Sequence, residues 1–373
     1  MHLTAISQFV TATHGQGKIN LELLKQLLAK GHSLEVICSS IDDAFRSQAG
    51  VHWIKVPYTT SLPTNWLRCE AFRLQAQRKV HGPVAINNGA AAIVPSKLNI
   101  AMFVHSAWLK SPSRKRWWCG LQPLIESSFT RQQAMLEQRA FDLAETVVAL
   151  SDQVRSELIE FAGVSESKIA VIPPGVDTKR FRPRDECDAN WLRETCGIKK
   201  QDDRFLLLFV GEIRSNRKNL DLVLENILRD EELVLAVIGS TDRSPYPEMA
   251  SRMGISERVH FLGQRSDVAE LMPGADCFVF PTNYEPFGLV ITEAMACGLP
   301  VITTRHAGAA CVIADKIDGF LISDGKDIDG MIEALSNLKD SLRRNGIASA
   351  ARKKAETLGW DRMAEKYMEL LAC

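Results

Sequence analysis

Residues 278–303 read FVFPTNYEPFGLVITEAMACGLPVIT. Phe278, Val279 and Phe280 form a short apolar run that stops at Pro281, the pattern of a strand buried on both faces. A polar loop leads through Glu285, Pro286, Phe287 and Gly288 into a helix. Cys297, Gly298, Leu299 and Pro300 end that helix and start the next strand. Strand, loop, helix and strand in one stretch is the repeating unit of a parallel sheet. The helix N-terminus beside Gly288 offers backbone N–H groups and the positive end of the dipole, which suits a phosphate. Glu285 lies in the loop above this point, and Glu293, about one and a half turns into the helix, is placed to meet sugar hydroxyls. Eight positions apart across a loop–helix junction, the two carboxylates do not have the spacing of a facing glycosidase pair.

The same alternation extends both ways along the chain. Strands are expected at residues 3–10, 34–39, 51–56, 84–87, 100–104, 147–150 and 169–172. Helices are expected at 18–30 and 124–143. Residues 173–183, PPGVDTKRFRP, carry three prolines and a glycine and can continue neither element. After this linker the alternation restarts, with strands at 205–210, 234–238, 259–262, 277–281 and 300–303. Helices fall at 220–228, 268–272, 289–297 and 329–338. The expected fold is α/β, two Rossmann-like doubly wound domains at residues 1–183 and 184–358, with ligands at the carboxyl ends of the strands and a cleft between the domains.

The chain has 373 residues, 46% hydrophobic and 24% charged, with 45 Lys+Arg against 45 Asp+Glu. Nothing in this balance points to nucleic acid. Residues 1–160 hold 17 Lys+Arg against 12 Asp+Glu, which makes the N-terminal half the expected side for an anionic surface or acceptor, unless the excess is scatter. The nine cysteines form no metal-ligand spacing, and Cys38, Cys277 and Cys297 sit in apolar runs. This is the profile of a reducing, cytoplasmic compartment. No apolar run approaches the roughly 18 residues of a membrane span.

The segment holding Glu285 and Glu293 resembles the retaining family 4 glycosyltransferases, which carry an E-x7-E motif on a GT-B fold. The resemblance implies that Glu293 binds the donor ribose and Glu285 approaches the donor sugar. Phe287, Gly288, Leu289 and Val290 then carry the backbone that meets the donor. Residues 209–219, FVGEIRSNRKN, are similar to the family's V-G-R-x-x-x-x-K-G segment, so Arg214 and Lys218 would neutralise the leaving diphosphate, a task that otherwise falls to a metal. Gly15 and Gly17 stand where the family has a glycine-rich loop that closes on the diphosphate. His105 matches a family histidine near the reaction centre, and Asp267 lies in the region that reads the base. Residues 359–373 resemble a last helix that packs back on the first domain. One departure is Cys311, in the place of a family glutamate.

The implied activity is transfer of a hexose-type sugar from a nucleotide diphosphate donor, UDP being the commonest, to a glycan or lipid-linked acceptor. No metal or other cofactor is expected, and no nucleic-acid partner. Residues 110–119, KSPSRKRWWC, hold four cations with Trp117 and Trp118 and suggest peripheral contact with a membrane or an acceptor. Two alternatives share the architecture: a sugar-nucleotide 2-epimerase, and a non-catalytic relative that binds a nucleotide sugar.

Overall fold

Apolar runs too short for helices, and covered on both faces, build the strands of this chain. Its structure, a computed structural model, describes residues 1–58, 64–111, 122–183, 191–199 and 204–372. The chain divides into two units, Met1–Gly175 with Trp360–Cys373, and Val176–Gly359.

In the first unit, β1 (His2–Ile6), β2 (Ser33–Cys38), β3 (Val51–Lys55), β4 (Val84–Asn88), β5 (Ser96–Ala101), β6 (Ala144–Ala149) and β7 (Ile169–Val171) form a sheet in the order β3-β2-β1-β4-β5-β6-β7. Every neighbouring pair is parallel. The strand order reverses between β1 and β4. Helix α1 (Gly15–Ala29) follows β1 and buries Ile19, Leu23, Leu24 and Leu27. Helices α2 (Asn65–Arg78), α3 (His105–Lys110) and α4 (Gln122–Leu143) complete the surroundings of the reversal. The C-terminal helix, Trp360–Ala372, buries Trp360, Met363, Ala364, Tyr367 and Leu371, a stripe at helical spacing. It lies against α1, where Lys30 meets Glu365 at 3.3 Å.

The second unit repeats the plan. β8 (Phe205–Val210), β9 (Leu233–Ile238), β10 (Val259–Phe261), β11 (Cys277–Phe280), β12 (Val301–Thr304) and β13 (Phe320–Ile322) run parallel in the order β10-β9-β8-β11-β12-β13. Its reversal falls between β8 and β11. Phe205–Val210 and Leu233–Ile238 are apolar throughout and almost wholly buried, as a sheet covered on both sides requires. Among the described residues no helix is long and apolar enough to cross a membrane.

The units part at Gly175/Val176, inside the expected linker rather than at residue 183. The cause is local. Arg352 Nη1 donates to the carbonyls of Thr178, Phe181 and Ala296 at 3.2, 3.0 and 2.6 Å, fastening residues 178–181 to the second unit. Phe181 is buried, and the Val176 N–H donates to the Leu358 carbonyl at 2.7 Å. Replacing Arg352 by Met leaves those carbonyls without their charged donor. Arg352→Met should therefore lower stability by roughly 1.5–3 kcal/mol, read as a lower urea midpoint with an unchanged slope. An unchanged midpoint would show that Phe181 burial alone holds the linker.

Candidate functional site

In the second unit, the two strands flanking the order reversal, β8 and β11, end side by side, the position where open α/β sheets bind ligands. Their loops are laced together. The Asn283 N–H and the Thr282 hydroxyl both donate to the Arg217 carbonyl, at 2.8 and 3.0 Å, and Asn283 Nδ2 donates to the Asn216 carbonyl at 3.0 Å. Residues Asn216–Lys218 form one turn of 3₁₀ helix, closed by Asn219 in the left-handed region at φ 57°. These bonds bring Lys218 to Glu285. The ammonium pairs with the Glu285 carboxylate and stands over the Phe280 ring, 5.0 Å from its centroid.

Lys218 is buried. Burial lowers its pKa well below the ordinary lysine value, the neighbouring Arg217 lowers it further, and Glu212 opposes them. The Arg217 pKa is lowered as well, by burial first, against the raising effect of Glu212 and Tyr284. A desolvated cation with an adjacent second cation is a strong attractor for a polyanion.

Beyond Glu285 the chain turns at Gly288, φ 96°, where a Cβ would press on Ile291 and on the Glu285 side chain, and enters α5 (Leu289–Ala296). Leu289 and Val290 occupy the first two helical positions, whose N–H groups have no partner within a helix. Phe287 is buried below them, and Glu293 is half-buried on the following turn. Glu285, Phe287, Gly288, Leu289, Val290 and Glu293 thus lie along a single loop–helix junction, with Lys218 against its start.

A second loop fixes that junction. Glu285 bridges to Ala307, the Gly308 N–H donates to the Glu285 carbonyl at 2.8 Å, and the Ala309 N–H donates to the Phe287 carbonyl at 2.7 Å. At this approach a Cβ on residue 308 would overlap the Pro286 carbonyl. Cys311 is exposed, on the 3₁₀ turn Gly308–Val312 that continues the loop.

Two expected site residues have ionic partners of their own. Arg214 is exposed and turned to Asp242, its Nε donating to the Asp242 carbonyl at 3.1 Å and its Nη2 lying 3.4 Å from the carboxylate. The cation beside Lys218 is Arg217, not Arg214. The 3₁₀ turn at 216–218 folds Arg217 inward, a rotation that motif spacing does not reveal. Asp267 is engaged by Arg265 through two bonds, at 2.9 and 2.6 Å, and this pairing holds its carboxyl below the usual range.

The first unit has its own pocket at its order reversal, a cavity of about 140 Å³. The ends of β1 and β4 supply Ser7, Phe9 and Asn88, and the start of α3 supplies His105. Gly15 and Gly17 are not an open loop: α1 begins at Gly15, and Gly17 is buried in its first turn, where a Cβ would be 2.6 Å from the Thr11 carbonyl. Packing accounts for that glycine. It is Gln16, between the two, that lines the pocket.

His105 is oriented by Glu137, a residue the sequence did not single out. The Glu137 carboxylate accepts the His105 backbone N–H at 2.9 Å and the ring Nδ1–H at 2.7 Å. Since a carboxylate can only accept, the ring donates to it from Nδ1. The available signal was an acid on the apolar stripe of α4, near Thr130, Leu136, Ala140 and Phe141. Among the described residues no group of three His, Cys, Asp or Glu is placed to hold a metal. Of the basic, tryptophan-containing stretch at 110–119, all beyond Ser111 lies outside the described residues.

Gly308→Ala should force the 285–287 loop away from its strap and cost about 1–3 kcal/mol, measured by urea unfolding. A variant as stable as the parent would mean the strap does not fix Glu285.

Comparison with known proteins bears on both units. Residues 13–180 match the model described as Glycosyltransferase Family 4, and residues 197–354 match the one described as Glycosyl transferases group 1. A D-inositol 3-phosphate glycosyltransferase 2 of Catenulispora acidiphila is 34% identical over 249 residues, 61% of this chain and 56% of the relative. A D-inositol 3-phosphate glycosyltransferase of Thermomonospora curvata is 34% identical over 248 residues, with the same two shares. The matched region is thus little more than half the length of these relatives. WaaG, a glycosyltransferase involved in lipopolysaccharide biosynthesis, superposes with a TM-score of 0.79 at 23% identity, covering 100% of this chain and 99% of that one. Anabaena HepE, solved with UDP-glucose, superposes at 0.74 with 19% identity and covers 100% and 99%. These likenesses establish the GT-B fold. With both of its halves matched by glycosyltransferase models and its fold shared along its whole length, the chain belongs to the family 4 glycosyltransferases.

Proposed function

We propose that the chain transfers a hexose-type sugar from a nucleotide diphosphate donor, UDP-glucose being the first to test, to a hydroxyl of a glycan or lipid-linked acceptor, with retention of anomeric configuration and without a metal. The observation that carries this is the buried Lys218 ammonium held against Glu285 at the strand-order reversal, beside the start of α5. HepE, whose structure contains UDP-glucose, supports the choice of donor.

In the proposed reaction the donor diphosphate takes up the charge of Lys218 and Arg217 and the first N–H groups of α5, with Glu293 on the ribose. The bond from the sugar C1 to the phosphate oxygen breaks as the acceptor hydroxyl bonds to C1 on the same face. The hydroxyl proton passes to the departing phosphate. Fixed cations and amides stabilise the charge that grows on that phosphate, where preorganised electrostatics contribute most. The donor must also displace Glu285 from Lys218, which frees the carboxylate to face the sugar.

Three measurements test this. Hydrolysis and transfer with UDP-glucose in EDTA, followed by NMR of the product anomer, should show an unchanged rate and a retained configuration; an inverted product or an absolute metal requirement would overturn it. Lys218→Ala should lower kcat/KM by roughly 10²–10³, and parental rates would remove the lysine from the mechanism. The third concerns pH. Because the Lys218 pKa is lowered, its charge is lost at a pH below that of an ordinary lysine. Donor affinity should therefore fall on the alkaline side, while Lys218 adds stability as pH rises, since there the unfolded chain binds more protons than the folded one. Donor affinity that stays level up to the ordinary lysine range would contradict it.

A further inference from the structure

The pocket of the first unit has a chemistry of its own, and it runs against the positive excess of residues 1–160. Among the described residues that line it, Arg73 is the only lysine or arginine, and each of its three nitrogens already makes a hydrogen bond. Arg73 Nε donates to Glu70 Oε2 at 3.1 Å, Nη2 pairs with Glu70 Oε1, and Nη1 donates to Gln77 at 2.7 Å. Its charge is thus offset by a bidentate carboxylate from its own helix, which weakens its pull on a phosphate. The second carboxylate in the wall, Glu137, is buried and faces His105 rather than a cation of fixed charge. Among the described residues of the lining, two carboxylates, Glu70 and Glu137, thus stand against the single guanidinium.

The remaining wall suits hydroxyl groups. Gln16 and Gln133 offer both donors and acceptors. Asn88, also in the lining, donates its amide to the Ile6 carbonyl at 3.1 Å. Phe103 lies beside the His105 ring, 4.8 Å between centroids, and gives the cavity an apolar flank of the kind sugar C–H faces cover.

We infer that this pocket is the acceptor subsite and that it takes an uncharged polyhydroxylated ring, not a sugar or cyclitol phosphate. The inference rests on the transferase reading above and narrows its acceptor. It also separates this chain from the relatives whose names specify inositol 3-phosphate. Acceptor hydroxyls share the Glu70 lone pairs and pair with the Gln16 and Gln133 amides. A phosphate entering the same space meets two carboxylates and a cation already committed.

Saturation-transfer NMR on the full chain, using myo-inositol and glucose against inositol 3-phosphate and glucose 6-phosphate, tests it directly. The neutral compounds should bind at least about tenfold more tightly than their phosphates, a factor of about 1.4 kcal/mol. Glu70→Gln should narrow that ratio. Gln133→Lys, a change at a half-buried helix position that leaves the core untouched, should raise affinity for the phosphates at the same pocket. Tighter binding of the phosphates by the parent, no binding of either class, or a ratio that neither variant moves would each overturn the inference. Donor hydrolysis without acceptor, measured in parallel on the parent, separates the two levels. Hydrolysis with phosphate preference sinks only the acceptor class, whereas no hydrolysis of any nucleotide sugar sinks the transferase reading itself.

Discussion

A buried ammonium is costly, and this fold holds one at the place where its second sheet changes direction. Burial works against the charge of Lys218, while the Glu285 carboxylate stands against it and the Phe280 face lies beneath it. Both partners arrive through backbone. The Arg217 carbonyl accepts from Thr282 and Asn283, and the Glu285 carbonyl accepts from Gly308, so three strand-end loops fix one another before any side chain is considered. Burying a charged pair usually contributes little to stability, and replacing it by apolar residues often leaves a protein no worse. Its retention at this position is understandable if the pair is a resting state, holding a cation dehydrated and aimed until a stronger anion displaces the carboxylate.

The strength of that resting state sets a limit on donor binding. In the proposed reaction a diphosphate brings more charge than one carboxylate and engages Lys218, Arg217 and the first amides of α5 together, so exchange would favour the donor. A single phosphate or a sugar carboxylate has less to offer and must still break the pair with Glu285. Under that proposal the Lys218–Glu285 pair would discriminate among anions, at some loss of affinity for the chosen one.

Much of the second unit was legible because its two central strands, Phe205–Val210 and Leu233–Ile238, are apolar at every position. Phe205–Val210 falls where the sequence places it, and the helix 289–297 differs from Leu289–Ala296 by one residue. In the first unit β5 begins at Ser96, four residues ahead of the expected start, because Ser96 and Asn99 are buried polar residues inside the strand. The Asn99 amide donates to the Gly89 carbonyl at 3.0 Å, a partner that only the folded sheet supplies. The helices Asn65–Arg78 and Asp152–Ala162 were not anticipated. The former buries only Phe72 and Ala76, too thin a stripe for periodicity to stand out. The strand Phe320–Ile322 escaped for its brevity.

Site residues divide along the same physical line. Lys218, Glu285 and the 287–290 backbone could be placed because strand, loop and helix follow one another in sequence and the junction is local. Arg214 and Arg217 differ by one turn of 3₁₀ helix, and only tertiary bonds to the Arg217 carbonyl decide which cation faces inward. Glu137 is 32 residues from His105, so no spacing connects them, yet a carboxylate on the apolar stripe of an amphipathic helix is itself a signal, since burial without a partner is prohibitive. Searching the buried stripe of each helix for ionisable residues, and asking which strand end faces it, recovers positioning groups that motif spacing does not reach. Applied to this chain, it leads from Glu137 to His105 and from there to the pocket of the first unit, where carboxylates outnumber cations among the described residues.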